Sequence, residues 1–430
     1  MEVSRRKLLF SASSIIICSI FCIACKPVAK TTKRGTERSM LTNPTAGELE
    51  ILSSTGTHLL GRHSNGPIKI TNRSFSGEVQ FDQFYWSNIE FENCDFINCS
   101  MTRGTLLNVR FVNCLFFANM WQDRNWENIS FHGCAWHGPF KMGASKGEKS
   151  IQFEECEFVG ATERELGYGG RAEYFGAIGG TNGRALFRKC KFERTFIYGG
   201  LSTECVNSKM LDVGIYVEES SKILFENVTA SGLIDLGNNN FSTVVFKQST
   251  FSDRLTFEGA TIGSALFEEI NANLDLSAVK AASVFLKRVT FTGPLQPKPR
   301  FQYGLNCESS KIEHLEIDNC SFEGANPELY LSGEETPEEL SMESSAMSQN
   351  VYSTDIENLV LRSTPIINGH FRYMRITKLL MENLRITSAD FSRSIIDQFM
   401  AKNVTQAENL KLGSATVKKN ASGIRFRSSG

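Results

Sequence analysis

The chain has 430 residues, and its 46 basic and 47 acidic side chains give a formal net charge of −1. This balance gives no overall electrostatic case for a nucleic-acid partner, which would need a basic surface. Hydrophobic residues make up 41% of the chain and only ten residues are proline, a composition that suits stacked strands around a large core.

The first 25 residues have the pattern of an export signal. Arg5 and Arg6 precede an apolar stretch over 8–24, which is typical of a signal peptide. A membrane anchor is the alternative, because this stretch is just long enough to span. Ser4, Arg5 and Arg6 also resemble the start of a twin-arginine signal. We therefore expect an exported protein of the bacterial cell envelope.

A second feature of the N-terminus concerns its mode of attachment. Ile23-Ala24-Cys25 resembles the end of a lipoprotein signal, in which Cys25 would carry a lipid and attach the chain to a membrane. Residues 26–68 are polar and rich in Thr and Ser, and they predict a tether. The expected location is the periplasm or the membrane surface.

Large apolar side chains then recur every five residues, and a smaller apolar residue lies two positions before most of them. The large positions are Phe81, Trp86, Phe91, Phe96, Met101, Leu106, Phe111, Phe116, Trp121, Trp126, Phe131 and Trp136. Neither a helical period nor a simple strand period explains this spacing. A coil with a corner every five residues does, because both apolar residues of each unit then point inward. Four such sides make a coil of about twenty residues.

The longer period predicts a solenoid over 69–400. The segment Phe91–Phe96 returns as Phe111–Phe116 and again as Phe131–Trp136, and the five-residue spacing resumes between Ile356 and Ile396. Roughly fourteen coils are expected at about 4.8 Å each. Excursions from the solenoid are predicted near 137–152, 160–185 and 323–350, and a cap with a basic tail is predicted at 401–430.

These residues resemble the pentapeptide-repeat proteins. The central Leu or Phe of that family matches the large positions, and its small Ala, Cys or Val matches the second set. The resemblance is close over 79–138 and good over 354–398. It implies an all-β fold, a right-handed, four-sided parallel β-helix. Some members of the family imitate a DNA duplex and bind type II topoisomerases, which the resemblance makes an alternative function.

Cys94, Cys114 and Cys134 lie twenty residues apart on the small position and predict a stack on one face. The simpler interpretation is a set of packed thiols. A disulfide is the alternative, because a coil spacing of about 4.8 Å suits its geometry and export would favour oxidation. His132 and His137 fall at an outward position, so we interpret them as surface residues rather than metal ligands.

The excursion near 160–185 is the predicted binding loop, because long excursions from rigid scaffolds often carry binding sites. Its candidate residues are Glu163, Glu165, Tyr168, Arg171, Glu173 and Tyr174. A solvated loop without function is the alternative. Glu163 and Glu165 could also serve as acid and base on a polysaccharide. The excursion over 323–350 is acidic and predicts a disordered loop, or a site for a basic partner.

No motif for a nucleophile, a metal, a phosphate loop or a dinucleotide occurs in the chain. We therefore expect no catalytic residue, no cofactor and no metal. The favoured function is a rigid, non-enzymatic scaffold that binds a protein or glycan at the cell envelope. The alternatives are a DNA mimic that acts on a type II topoisomerase and a polysaccharide-cleaving β-helix enzyme.

Overall fold

The fold is a β-solenoid built almost entirely of parallel strands. The computed structural model describes residues 41–53, 67–76, 80–82, 85–102, 104–146, 151–161, 176–180, 184–199, 202–217, 221–292, 304–323, 329–331, 354–366, 369–411 and 416–420. Of these described residues 71% are in strands and 2% in helix, and they form about 12 turns of about 20 residues each. The all-β, parallel solenoid expected from the sequence is confirmed.

The described elements are one helix and 38 strands in chain order. The first group is α1 (Ala46–Ser53), β1 (Ile68–Thr71), β2 (Ser74–Ser76), β3 (Gln80–Asp82), β4 (Tyr85–Glu92), β5 (Asp95–Ile97), β6 (Ser100–Thr102), β7 (Thr105–Val112), β8 (Leu115–Phe117), β9 (Met120–Glu127), β10 (Ile129–His132), β11 (Ala135–His137), β12 (Phe140–Lys146), β13 (Ile151–Glu154) and β14 (Glu157–Val159). The second is β15 (Gly176–Gly180), β16 (Arg184–Arg188), β17 (Lys191–Gly199), β18 (Ser202–Val206), β19 (Lys209–Val217), β20 (Ser221–Glu226), β21 (Thr229–Asp235), β22 (Asn240–Lys247), β23 (Thr250–Thr256), β24 (Thr261–Glu268), β25 (Asn271–Asp275), β26 (Lys280–Lys287) and β27 (Thr290–Thr292). The third is β28 (Leu305–Asn306), β29 (Lys311–Asp318), β30 (Ser321–Glu323), β31 (Leu329–Tyr330), β32 (Thr354–Arg362), β33 (Gly369–His370), β34 (Met374–Glu382), β35 (Arg385–Asp390), β36 (Ile395–Lys402), β37 (Thr405–Lys411) and β38 (Thr416–Asn420).

The core consists of like residues stacked on like residues in successive coils. Phe91 pairs in register with Phe111, and Phe111 with Phe131. Their rings are stacked, with centroids 5.1 and 4.8 Å apart and planes within 6° of parallel. All three side chains are buried. The five-residue spacing therefore marks inward-facing positions, as the sequence predicts.

The corners are formed by residues in the left-handed backbone region. In one coil these include Asn88, Asn93 and Asn98, with φ of 55°, 54° and 54°. Asn tolerates this conformation better than most residues with a Cβ. The side-chain amide of Asn108 also donates to Asn88 Oδ1 at 3.1 Å, and that of Asn128 donates to Asn108 Oδ1 at 2.9 Å. The corners are thus stacked as regularly as the core.

Later coils use a different corner, in which an acidic or amide side chain closes the turn. Asp235 Oδ1 accepts the backbone N–H of Gly237 at 2.9 Å, and Asp275 Oδ1 accepts that of Ser277 at 3.0 Å. Asp390 makes the same bond to Ser392 at 2.9 Å. These are Asx-type turns, which satisfy a backbone donor that the strand ladder leaves over.

The number of coils is about 12 rather than the fourteen expected from the sequence. The reason is that several coils exceed twenty residues. Phe153 pairs with Phe187, Leu286 with Ile317, and Ile317 with Leu361. These partners are separated by 34, 31 and 44 positions, yet the register of the columns is kept. The second of these long coils was not expected from the sequence.

Strands of the solenoid also occur within the three predicted excursions. Within the excursion expected near 137–152, β12 pairs with β9 and β15 as an ordinary part of the coil. Within 160–185, β15 pairs with β17 and β16 with β18. Within 323–350, β31 pairs with β28 and β33. These strands are short, or Gly interrupts their apolar positions, which concealed the five-residue periodicity.

The N-terminal end of the solenoid carries a helix where the sequence predicted only tether. Thr45 Oγ1 accepts the N–H of Glu48 at 3.2 Å, and Glu48 Oε2 accepts the N–H of Thr45 at 2.7 Å, which is a capping box. Glu48 also binds Arg73 at 2.8 Å, and Leu49 packs against the core. Helix α1 therefore attaches to the first coils.

Strands also occur at the opposite end of the solenoid. In the range 401–430, expected as a cap and basic tail, β37 pairs with β35 and β38 pairs with β36. Parallel pairing therefore continues to Asn420. The positive charge of this segment concealed the strand signal in the sequence.

Candidate binding groove

Several predicted site residues lie outside the described part of the chain. These are Ser4, Arg5, Arg6 and Cys25 of the export signal, and Glu163, Glu165, Tyr168, Arg171, Glu173 and Tyr174 of the candidate loop. Their roles remain predictions. The structure does show where the loop leaves the solenoid, at Ala161 directly after β14, and where the described chain resumes, at Gly176.

Cys94, Cys114 and Cys134 form a column of free, buried thiols. The Sγ–H of Cys114 is 3.5 Å from the carbonyl oxygen of Phe91, and that of Cys134 is 3.5 Å from that of Phe111. Burial raises the pKa of Cys134 well above its usual value. In the structure these residues are packed thiols, the simpler of the two sequence interpretations, rather than disulfide partners.

His132 and His137 are surface residues on different strands, as the sequence predicts. Each lies near one carboxylate of the next coil, with His132 Nδ1 3.6 Å from Glu154 and His137 Nε2 3.9 Å from Glu157. Among the residues that the structure describes, no group of three or more His, Cys, Asp and Glu side chains could hold a metal ion.

A shallow concavity among the described residues lies beside the point where the candidate loop departs. It encloses about 250 Å³ on the outer face of β14, β17, β19 and β21. We call it the groove. Its lining residues are Glu157, Phe158, Val159, Lys191, Phe192, Glu193, Lys209, Met210, Leu211, Thr229 and Ser231.

The groove exists because two outward columns flank one inward column. Phe158, Phe192 and Met210 point into the core, so only their backbone forms the floor. The first outward column runs from Glu157 through Lys191 and Lys209 to Thr229. The second runs from Val159 through Glu193 and Leu211 to Ser231. At Thr229 and Ser231 both columns have short side chains.

The apolar part of the groove is unusually exposed. Leu211 has 38% of its surface accessible, and in the described chain only one other large hydrophobic residue is as open. Below Val159 the same column continues through His137 to Phe117 and Ile97, which are half-buried outward residues. An apolar strip therefore leads into the groove along the outside of the solenoid.

The groove also carries two adjacent positive charges. Lys191 and Lys209 are direct neighbours on β17 and β19, about 4.8 Å apart at the backbone. Like charges directly opposite each other destabilise a sheet. In the described part of the chain neither ammonium makes an ion pair, whereas Glu193 across the groove binds Arg194. The two lysines are thus available to an anionic group of a ligand.

Comparisons with known proteins add no identity. The chain matches no known protein-family model. It also matches no curated protein. Within the ranges that the structure describes, no helix is both long and apolar enough to cross a membrane.

Proposed function

We propose that this chain is a non-enzymatic pentapeptide-repeat scaffold that is exported to the cell envelope and binds a protein or glycan on its outer surface. The observation that carries the binding proposal is the exposed Leu211 beside the Lys191–Lys209 pair. The β-solenoid supports it because its backbone is fixed by ladder hydrogen bonds on both sides of each coil. Such a surface is organised before a partner arrives, which reduces the entropy lost on binding.

The chemistry of the groove favours an acidic protein segment over a neutral glycan. Val159 and Leu211 offer aliphatic surface, while the two lysines offer charge at one edge. A segment with an apolar side chain next to one or two carboxylates would complement both features. An acidic glycan would use the lysines but would gain little from Leu211. We therefore propose a protein segment as the ligand of the groove.

A photo-crosslinking residue at position 211 tests this proposal in living cells. We expect a crosslinked protein partner that is lost in Lys191→Glu/Lys209→Glu, because charge reversal repels an acidic segment. Lys280→Glu is the matched control, since this exposed lysine lies on another strand and should leave the crosslink intact. Equal crosslinking in both variants, or a crosslink only to glycan, would contradict the protein proposal.

The location is tested separately by fractionation of cells that produce the C-terminally tagged chain. If Cys25 is lipidated, the parent is found with the membranes and Cys25→Ala becomes soluble in the periplasm. A parent that stays in the cytosol and keeps its first 25 residues would refute export. The groove and its crosslinking test do not depend on that result.

The other functions gain no specific support. A DNA mimic needs rows of outward carboxylates, whereas Glu268 is bound by Lys247 at 3.7 Å and by Arg288 at 2.6 Å. The polysaccharide-cleaving alternative depends on Glu163 and Glu165, which lie outside the described residues. Incubation of the purified chain with envelope polysaccharides tests it, and release of oligosaccharides that is lost in Glu163→Gln would revive it.

A further inference from the structure

A second outer face, on the neighbouring side of the solenoid, carries a regular pattern of charged and apolar residues that are not part of the groove. It is made by eight consecutive strands, β20, β22, β24, β26, β29, β32, β34 and β36, which pair in register. Each strand contributes one outward residue to a charged column. Every strand except β29, which carries Glu316, contributes one to an apolar column. We call this surface the ladder face.

The charged column alternates in sign at every level. It contains Glu226, Lys247, Glu268 and Lys287 in the first four strands. It continues with Asp318, Arg362, Glu382 and Lys402 in the next four. Neighbours within the chain form ion pairs, for example Arg362 with Glu382 at 3.3 Å and Lys402 with Glu382 at 3.0 Å. The alternation of charge therefore stabilises each chain.

The apolar column lies beside the charges and points away from the core. Leu224, Val245, Leu266 and Phe285 occupy the first four levels. Val360, Leu380 and Met400 occupy the last three, and Met400 is 42% exposed. Eight levels extend over about 34 Å. Glu316 interrupts the column at the fifth level, between a run of four and a run of three apolar residues. Apolar surface of this extent on the outside of a β-sheet is typical of an interaction surface.

The ladder face is complementary to itself under a two-fold rotation. Consider an axis in the plane of the face, perpendicular to the solenoid and midway between the levels of Lys287 and Asp318. A second copy then lies antiparallel, and each column faces the same column of the copy. Because there are eight alternating levels, every charge faces its opposite. The four contacts, each made twice, are Glu226 with Lys402, Lys247 with Glu382, Glu268 with Arg362, and Lys287 with Asp318.

The same rotation brings the apolar residues together. Leu224 faces Met400, Val245 faces Leu380, and Leu266 faces Val360. The remaining level places Phe285 opposite Glu316 of the copy. The charge of Glu316 is compensated within its own chain by Arg362 at 2.8 Å. Three of four apolar contacts and all four charged contacts are therefore favourable.

We propose that the ladder face binds the ladder face of a second copy, which gives an antiparallel two-fold dimer. The face measures about 34 Å by 16 Å, or about 500 Å² per copy, near the lower limit for a specific interface. Dimerisation is therefore concentration-dependent. The proposal does not rest on the proposed function, because no residue that lines the groove belongs to the ladder face.

Reciprocal charge reversal tests the dimer. Glu268→Lys and Arg362→Glu each place like charges at two symmetry-related contacts, so each variant alone should lose dimer affinity by about tenfold or more. In an equimolar mixture both contacts regain opposite charges, and heterodimers should form. Sedimentation velocity of the parent, the two variants and the mixture measures this directly.

The matched control is Glu90→Lys, which breaks the same kind of chain-internal contacts, to Lys69 at 3.4 Å and Arg110 at 3.7 Å, outside the eight levels. It should dimerise like the parent. Recovery in the mixture would also show that both charge variants are folded. A parent that is monomeric at every concentration, or a mixture that stays monomeric, would overturn the proposal.

Discussion

Removal of one ring from the column of stacked phenylalanines gives a sharp test of the core packing. Phe111 is fully buried and stacks between Phe91 and Phe131, with centroids at 5.1 and 4.8 Å. It also contacts Phe116 edge-on at 5.5 Å. Phe→Ala in a core costs about 3–5 kcal/mol, and loss of two stacked pairs puts Phe111→Ala in the upper part of that range, about 4–5 kcal/mol.

The assay uses the uneven distribution of the four tryptophans. They lie at Trp86, Trp121, Trp126 and Trp136, all within the N-terminal coils. In a solenoid each coil is stabilised mainly by its neighbours, so unfolding can be local. In a guanidinium titration, Phe111→Ala should shift the tryptophan fluorescence midpoint more than the far-UV circular dichroism midpoint.

Leu315→Ala is the matched control, because Leu315 is equally buried but lies in β29, far from any tryptophan. It should shift the dichroism and leave the fluorescence nearly unchanged. Two outcomes would refute the reasoning. An unchanged fluorescence midpoint for Phe111→Ala would mean that the ring is not packed as described. Equal shifts of both signals by both variants would mean that the coils unfold as one unit.

Three further predictions concern thiols, a capping ion pair and a close approach of the backbone. Alkylation of the folded protein at pH 8 should spare all nine described cysteines, since all are buried and burial raises the pKa of Cys99 to about 12; peptide mass spectrometry showing rapid native labelling would contradict this. The hydrogen bond to Arg73 lowers the pKa of Glu48 to about 2 from 4.5, so its stabilisation is complete above pH 4.5 and is lost as the pH falls toward 2. Glu48→Gln should remove that part of the acid-unfolding curve, and an unchanged curve would refute the link. Gly263→Ala should lower the free energy of unfolding by about 1–3 kcal/mol, because its Cβ would lie 2.6 Å from the carbonyl oxygen of Ser242. The Cβ of Gly47→Ala would meet no atom within 4 Å, so this variant should stabilise helix α1 slightly. Thermal melts compare the two variants.

The sequence predicts the coil well where every corner is short. Phe91, Phe111 and Phe131 are twenty positions apart, so their stacking could be expected from the spacing alone. The inward position of Cys94 follows from the same count. In these coils the local pattern and the tertiary register carry the same information, because each residue contacts the one that lies one period away.

The groove could not be predicted, because its columns cross a coil of unusual length. Glu157 and Lys191 are neighbours although 34 positions separate them, and only the pairing of β14 with β17 brings them together. Lys209 joins them one shorter coil later. No local signal in the chain gives the length of an excursion, so the outward neighbours on either side of it are visible only in the structure.

The ladder face carries a constraint on how the chain can change length. Because the charged column has an even number of alternating levels, an antiparallel copy places each charge opposite a charge of the other sign. A single duplicated coil of about 20 residues would copy its own charge, so two like charges would become direct neighbours in the column and the alternation would be out of phase on the two sides of the insertion. Duplication of two adjacent coils would copy one charge of each sign and keep the alternation throughout. If the dimer is selected for, duplications within this region are tolerated in pairs of coils, whereas a single duplicated coil breaks the charge pattern of the face.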